Sequence, residues 1–108
     1  MEDRIIKLKI RDILLGTLCM DCSNYVFYAN VEGFKSARIM MPIIPFVLNE
    51  NGRKEYAKLP YPFSKFLEQC EREDIAKYLH IVATDTDFDK LYKYASANIE
   101  PETFYITI

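Results

Sequence analysis

The periodicity of the apolar side chains changes once along this chain, near residue 62, and that change constrains the fold more than any other feature. From Ile6 to Arg11 apolar and basic side chains alternate, as in a strand with one buried and one solvated face. From residue 62 onward the apolar side chains recur at i, i+3, i+4 and i+7, the spacing of one helix face. Strands grouped first and helices later predict an α+β fold with segregated layers.

Three N-terminal strands are predicted, at residues 6–10, 13–20 and 25–30. Turn-forming residues separate them, so we expect an antiparallel meander. A helical turn at 34–38 and a short strand at 39–41 should follow, and the prolines after that strand deny it a central position in the sheet.

The C-terminal half is predicted to supply two or three short helices that cover the sheet. Residues 49–58 contain Asn-Gly and five charges, which predicts an exposed loop. Helices are expected to begin at Pro62, at Glu73 and at Thr86, where Thr86 and Asp89 have the spacing of a capping box. Pro101 should end the helical region. A closing strand is predicted from Phe104 to Ile108.

Length and charge limit the function classes. With 108 residues, we expect one domain covering 1–108. The net charge of −2 gives no overall attraction toward nucleic acid or anionic membrane. The apolar runs fall short of the roughly 20 residues that span a bilayer, and the N-terminus lacks the pattern of a signal peptide. We therefore expect a cytoplasmic protein with reduced thiols.

The cysteines and the histidine do not predict a metal site. Cys19 and Cys22 have zinc-knuckle spacing, but a structural zinc site needs four ligands. Cys70 and His80 would have to complete it from separate predicted helices, with His80 at a helix C-terminal end. We expect no zinc, no disulfide and no cofactor.

An acidic cluster formed by Asp85, Asp87 and Asp89 has two interpretations. The carboxylates cap a helix, or they hold a metal ion for catalysis. Capping is favoured because no nucleophile elbow or phosphate-binding loop accompanies them. We expect no enzymatic activity, no catalytic residues and no small-molecule substrate.

Aromatic residues near the 49–58 loop are the candidates for a binding surface. Tyr56 and Tyr61 flank the loop, where exposure is plausible, and Arg72 follows the first predicted helix. Tyrosine and arginine are common anchors of protein interfaces. We therefore predict partner binding through Tyr56, Tyr61 and Arg72.

Five segments, in order, resemble the N-terminal subdomain of HipA-type toxin kinases, between about residues 13 and 105. They are Leu15-Gly16-Thr17-Leu18, Tyr25–Asn30, Met41–Phe46, Pro62-Phe63-x-x-Phe66-Leu67 with Arg72, and Asp87–Tyr92. The glycines that usually follow the last helix of the family are replaced here by Ser96-Ala97-Asn98. The kinase core is missing, and so is the HIRAN domain to which a related group joins such a module.

The resemblance implies a bacterial, free-standing module similar to the HipS-type partner of split toxin–antitoxin systems. Such an antitoxin-like module binds and restrains a separate HipA-type kinase core, and it reaches nucleic acid only through a complex. Two alternatives remain open. The chain is a phage or mobile-element inhibitor of a host defence enzyme, or it is a metal-dependent enzyme using the acids at 85–89.

Overall fold

The computed structural model describes residues 4–97, 99 and 103–108. The predicted α+β architecture is confirmed, with one antiparallel sheet in the order β4-β3-β2-β1-β5. The predicted closing strand lies in the sheet beside β1, whereas the predicted stop at Pro101 falls outside the described residues. The strands are β1 Ile6–Ile10, β2 Ile13–Asp21, β3 Asn24–Ala29, β4 Arg53–Tyr56 and β5 Phe104–Thr107. The helices are α1 Val31–Met40, α2 Phe63–Cys70, α3 Glu73–Tyr78 and α4 Asp87–Ser96.

One face of the sheet carries the core. Ile6, Leu8 and Ile10 of β1 are all at most 1% exposed, as their alternation predicts. Phe27 of β3 shares their face, and its ring lies 6.0 Å from the ring of Phe63 in α2. Helices α2 and α4 therefore cover this face. The opposite face, called the open face below, bears the exposed side chains of Lys7, Tyr28 and Arg53.

Two predictions for the middle of the chain are wrong. Residues 39–41 do not form a strand, because Ile39 and Met40 are the last turn of α1. This helix packs closely on β2: a Cβ at Gly33 would lie 1.9 Å from the Leu14 carbonyl oxygen. The predicted 49–58 loop contains β4, whose backbone pairs with β3.

The three C-terminal helices begin within one residue of the predicted positions, although no residue of α3 is buried. Phe63, Phe66 and Cys70 of α2 are buried. At the start of α4, the Thr86 hydroxyl accepts a hydrogen bond from the Asp89 N–H at 3.1 Å, and the Asp89 carboxylate accepts one from the Thr86 N–H at 2.9 Å. This reciprocal pair confirms the predicted capping box.

Candidate protein-binding surface

Residues 43–48 form a segment without regular secondary structure, and its side chains alternate in burial. Ile44, Phe46 and Leu48 are buried in the core. Ile43 is 84% exposed and Val47 94% exposed. Since all six residues except Pro45 are large and apolar, the segment anchors itself with one set of side chains and presents the other set to solvent.

Exposed apolar side chains also occur at the end of α1, where Ile39 is 84% exposed and Met40 is 49% exposed. We call Ile39, Met40, Ile43 and Val47 the 39–47 patch. Isolated exposed aliphatic residues are ordinary, but four large ones within nine consecutive residues are a feature of interaction surfaces.

Few hydrogen bonds hold the backbone of this segment. Within the part of the chain that the structure describes, residues 43–48 form no backbone–backbone hydrogen bond. Their flanks are held by side chains: the Arg38 Nε donates to Glu50 at 3.2 Å, and the Asn49 N–H donates to the Tyr56 hydroxyl at 3.2 Å. The position of the patch therefore depends on the packing of the buried set.

Tyr61 lies beside this segment. Its side chain is 43% exposed, as predicted. Its ring centroid is 6.4 Å from that of Phe46, which in turn contacts Phe104 of β5 at 5.4 Å. Tyr61 therefore packs on Phe46, a buried residue of the same segment.

Tyr56 and Arg72 have different surroundings. Tyr56 is half-buried at the edge of the sheet and packs against the core, so its predicted exposure is wrong. Arg72 is exposed before α3 and forms a 3.0 Å ion pair with Asp74. No hydrogen bond, ion pair or ring contact joins any two of Tyr56, Tyr61 and Arg72, all of which are described.

A polar cluster covers a buried valine on the open face. Val26 is 0% exposed although it lies on the uncovered side of the sheet. The Arg53 guanidinium lies 3.0 Å from Glu55 and 3.6 Å from Asp21, on the strands either side of β3. Cys19 opposes Val26 in β2. Burial, reinforced by Asp21 and partly offset by Arg53, raises the pKa of the Cys19 thiol, so it is a poor nucleophile at neutral pH.

The other thiols and the histidine occupy separate positions. Cys22 is exposed in the turn between β2 and β3, and Cys70 is buried in α2. Burial raises the pKa of the Cys70 thiol to about 11, an effect that Lys90 partly opposes. His80 follows α3 with a φ of 57°. Among the residues that the structure places, no three His, Cys, Asp or Glu side chains group as metal ligands.

The acidic cluster is used in helix capping and ion pairing. The Asp85 carboxylate accepts hydrogen bonds from the Val82 N–H at 3.0 Å and from the Lys93 Nζ at 2.6 Å. Asp89 belongs to the capping box and accepts a 2.7 Å hydrogen bond from Arg4. Asp87 is exposed in the first turn of α4. These contacts favour the capping interpretation of the cluster.

A second apolar surface is an open groove of about 570 Å³ between α3 and α4. Its wall includes Tyr78, which is 65% exposed, and Leu79. The Lys93 ammonium at its border is already bonded to the His80 carbonyl and to Asp85.

Sequence reasoning identified Met41–Phe46 as an apolar segment but did not identify the exposed residues Ile39, Ile43 and Val47. Both the odd-numbered and the even-numbered positions from 43 to 48 are apolar, so the pattern does not show which of the two sets faces solvent. The prolines at 42 and 45 were the available signal, since they keep the segment out of a central strand.

Within the described residues, no helix has the length and apolar character needed to cross a membrane. Comparisons of the chain with profiles of known protein families, with curated proteins and with solved structures gave no match.

Proposed function

We propose that this chain is a non-catalytic protein-interaction module of the cytoplasm that binds its partner through the 39–47 patch. The observation that carries the proposal is the exposure of Ile39, Ile43 and Val47, each 84% or more. Fully burying one such side chain is worth about 1.5–3 kcal/mol, so a partner that covers all three gains a substantial apolar contribution to binding.

The partner that we propose is a kinase core of the HipA type, which the module restrains in the manner of an antitoxin. The support is the order of the five family-like segments, two of which are coupled in three dimensions. A Cβ at Gly16 would lie 2.4 Å from the Phe27 ring, so the glycine of the first segment accommodates the aromatic residue of the second. Any role for nucleic acid would then pass through the complex.

Tyr61 is the second anchor that we propose. It packs on Phe46 of the 43–48 segment, it is partly exposed, and the Pro60 and Pro62 on either side limit the entropy lost on binding. Arg72 is exposed and can exchange Asp74 for a partner carboxylate, because a solvated ion pair of this kind contributes little to stability. Tyr56 serves the fold rather than the interface.

The test is binding of purified HipA-type kinase core, lacking its own N-terminal subdomain, measured by titration calorimetry. We expect Ile43→Asp and Val47→Asp each to weaken binding by about 1–3 kcal/mol, which is roughly 5- to 150-fold. Tyr61→Ala should act similarly. The melting temperature of each variant should stay close to that of the parent, because the substituted groups are exposed.

The matched control is Val82→Asp, which places the same charge on an aliphatic residue that is 53% exposed outside the patch. It should leave binding unchanged. Equal losses in Val82→Asp and Ile43→Asp would show a general charge effect and remove the patch as the site. Failure of the parent chain to bind any HipA-type core would remove the proposed partner class.

A further inference from the structure

The two edges of the sheet differ in charge. The edge strand β4 has the sequence Arg-Lys-Glu-Tyr, with three charges in four residues. The other edge strand, β5, has the sequence Phe-Tyr-Ile-Thr, and no residue from 103 to 108 is charged. Charged side chains on edge strands discourage pairing with another chain. Only β4 of these two strands carries that protection.

The free backbone groups of β5 can be identified from its register. The Arg11 N–H donates to the Thr103 carbonyl at 3.3 Å, so Thr103 faces β1. Backbone groups alternate in direction along an antiparallel strand. The N–H and C=O of Tyr105 and Thr107 therefore point toward β1, and those of Phe104 and Ile106 point away from the sheet. Among the described residues, these outward groups have no hydrogen-bond partner.

The opposite edge is arranged differently. There the outward backbone groups belong to Arg53 and Glu55, because the Ala29 N–H donates to Gly52 and fixes the alternation. The side chains of Arg53 and Glu55 form an ion pair beside those groups. An incoming strand would have to desolvate this pair. At β5 the Lys65 ammonium lies 5.6 Å from the centroid of the Phe104 ring, but no side chain of the strand itself is charged.

We propose that β5 pairs antiparallel with β5 of a second copy of this chain, joining the two five-stranded sheets across a twofold axis. A second copy fits because an antiparallel twofold pair matches the outward groups of Phe104 and Ile106 with the same groups of its counterpart. The open-face side chains that meet are Tyr105 and Thr107, which are uncharged, so no like-charge pair is created.

The strength of this association is limited by its size. Phe104 and Ile106 already face the core, so pairing gains little apolar area beyond Ile108, which is 52% exposed. Two strands of this length bury less than about 1,000 Å², so the dimer is weak and reversible, with a Kd on the order of 100 μM.

Sedimentation over a concentration series that spans this Kd tests the dimer. The weight-average mass of the parent should rise from 12.7 kDa toward twice that value. The double variant Thr107→Lys/Ile108→Lys should stay monomeric, because lysines at the edge oppose pairing. The control Ser36→Lys/Val82→Lys adds the same two charges at exposed residues away from β5 and should dimerise like the parent.

Amide hydrogen exchange locates the contact. The outward N–H groups of Phe104 and Ile106 should exchange more slowly as the protein concentration rises. The extent of this slowing should follow the fraction of chains in the dimer. A mass of 12.7 kDa throughout the series would overturn the proposal. So would a dimer that persists in Thr107→Lys/Ile108→Lys, or one that leaves both amides unchanged. None of these outcomes involves the kinase core, so they are separate from the test of the 39–47 patch.

Discussion

His80 shows how one residue ends a helix in this chain. After α3 it adopts a φ of 57°, in the left-handed region. The Ile81 N–H then reaches back to the Ala76 carbonyl at 3.0 Å, and the His80 N–H to the Lys77 carbonyl at 3.2 Å. This is the hydrogen-bond pattern of a Schellman motif, in which glycine is the favoured residue.

We therefore expect His80→Gly to raise the free energy of unfolding by about 1 kcal/mol, because glycine enters this region without a steric penalty. Urea denaturation measures the change. His80→Ala is the control: it also removes the imidazole but keeps the Cβ, so it should give no gain. A loss of stability in both variants would instead mean that the imidazole itself stabilises the folded chain.

At the level of the element, two carboxylates near the N-terminus of α4 make the free energy of unfolding depend on pH. The hydrogen bond from the Thr86 N–H, and then that from Arg4, lowers the pKa of Asp89. Hydrogen bonding to Lys93 lowers the pKa of Asp85. Because both carboxylates are more acidic in the folded chain, their stabilisation is complete well above the unfolded value of 3.8 and is lost as the pH falls through and below it.

The corresponding prediction concerns Asp89→Asn. This variant removes a charge that Arg4 and the helix N-terminus favour. We expect it to be less stable than the parent at pH 7 and to approach the parent as the pH falls toward 3, in thermal melts at fixed ionic strength. Asp12→Asn is the control, since it makes the same change in charge at an exposed turn residue outside α4. A stability gap that is constant with pH would contradict the assignment.

The elements differ in how far the sequence predicts them, and the differences have physical causes. The strand β1 is found because its buried and solvated residues alternate. The strand β4 is missed because its residues are charged and exposed. Backbone hydrogen bonds to β3 hold it in the sheet, and these bonds produce no alternation of apolar residues in the sequence. The length of α1 is missed because the helix depends on a close approach at Gly33, which is a tertiary contact.

At the scale of the whole molecule, one core joins helices and sheet while the open face stays uncovered. The candidate surface is predictable from the sequence only in part. Tyr61 follows from its place beside a loop and two prolines. The 39–47 patch does not, because the choice between burying Ile44 or Ile43 depends on how the segment meets α2 and β5.

The buried thiol of Cys70 can report how often α2 and α4 separate. Its Sγ lies 3.4 Å from the Phe66 carbonyl and 3.7 Å from the Lys90 carbonyl, between α2 and α4. An alkylating reagent needs a thiolate and a path to it, and the native fold denies both, since the pKa is about 11 and the side chain is buried. Labelling must therefore wait until these helices separate.

In a chain carrying Cys19→Ser and Cys22→Ser, we expect iodoacetamide to modify Cys70 far more slowly than it modifies the urea-unfolded chain. Mass spectrometry at successive times gives the rate, and the ratio of the two rates gives the fraction of time that the helices spend apart. Native labelling as fast as that of the unfolded chain would mean that α2 and α4 are not held together. A partner that binds across α2 and α4 should reduce that fraction and slow the labelling of Cys70.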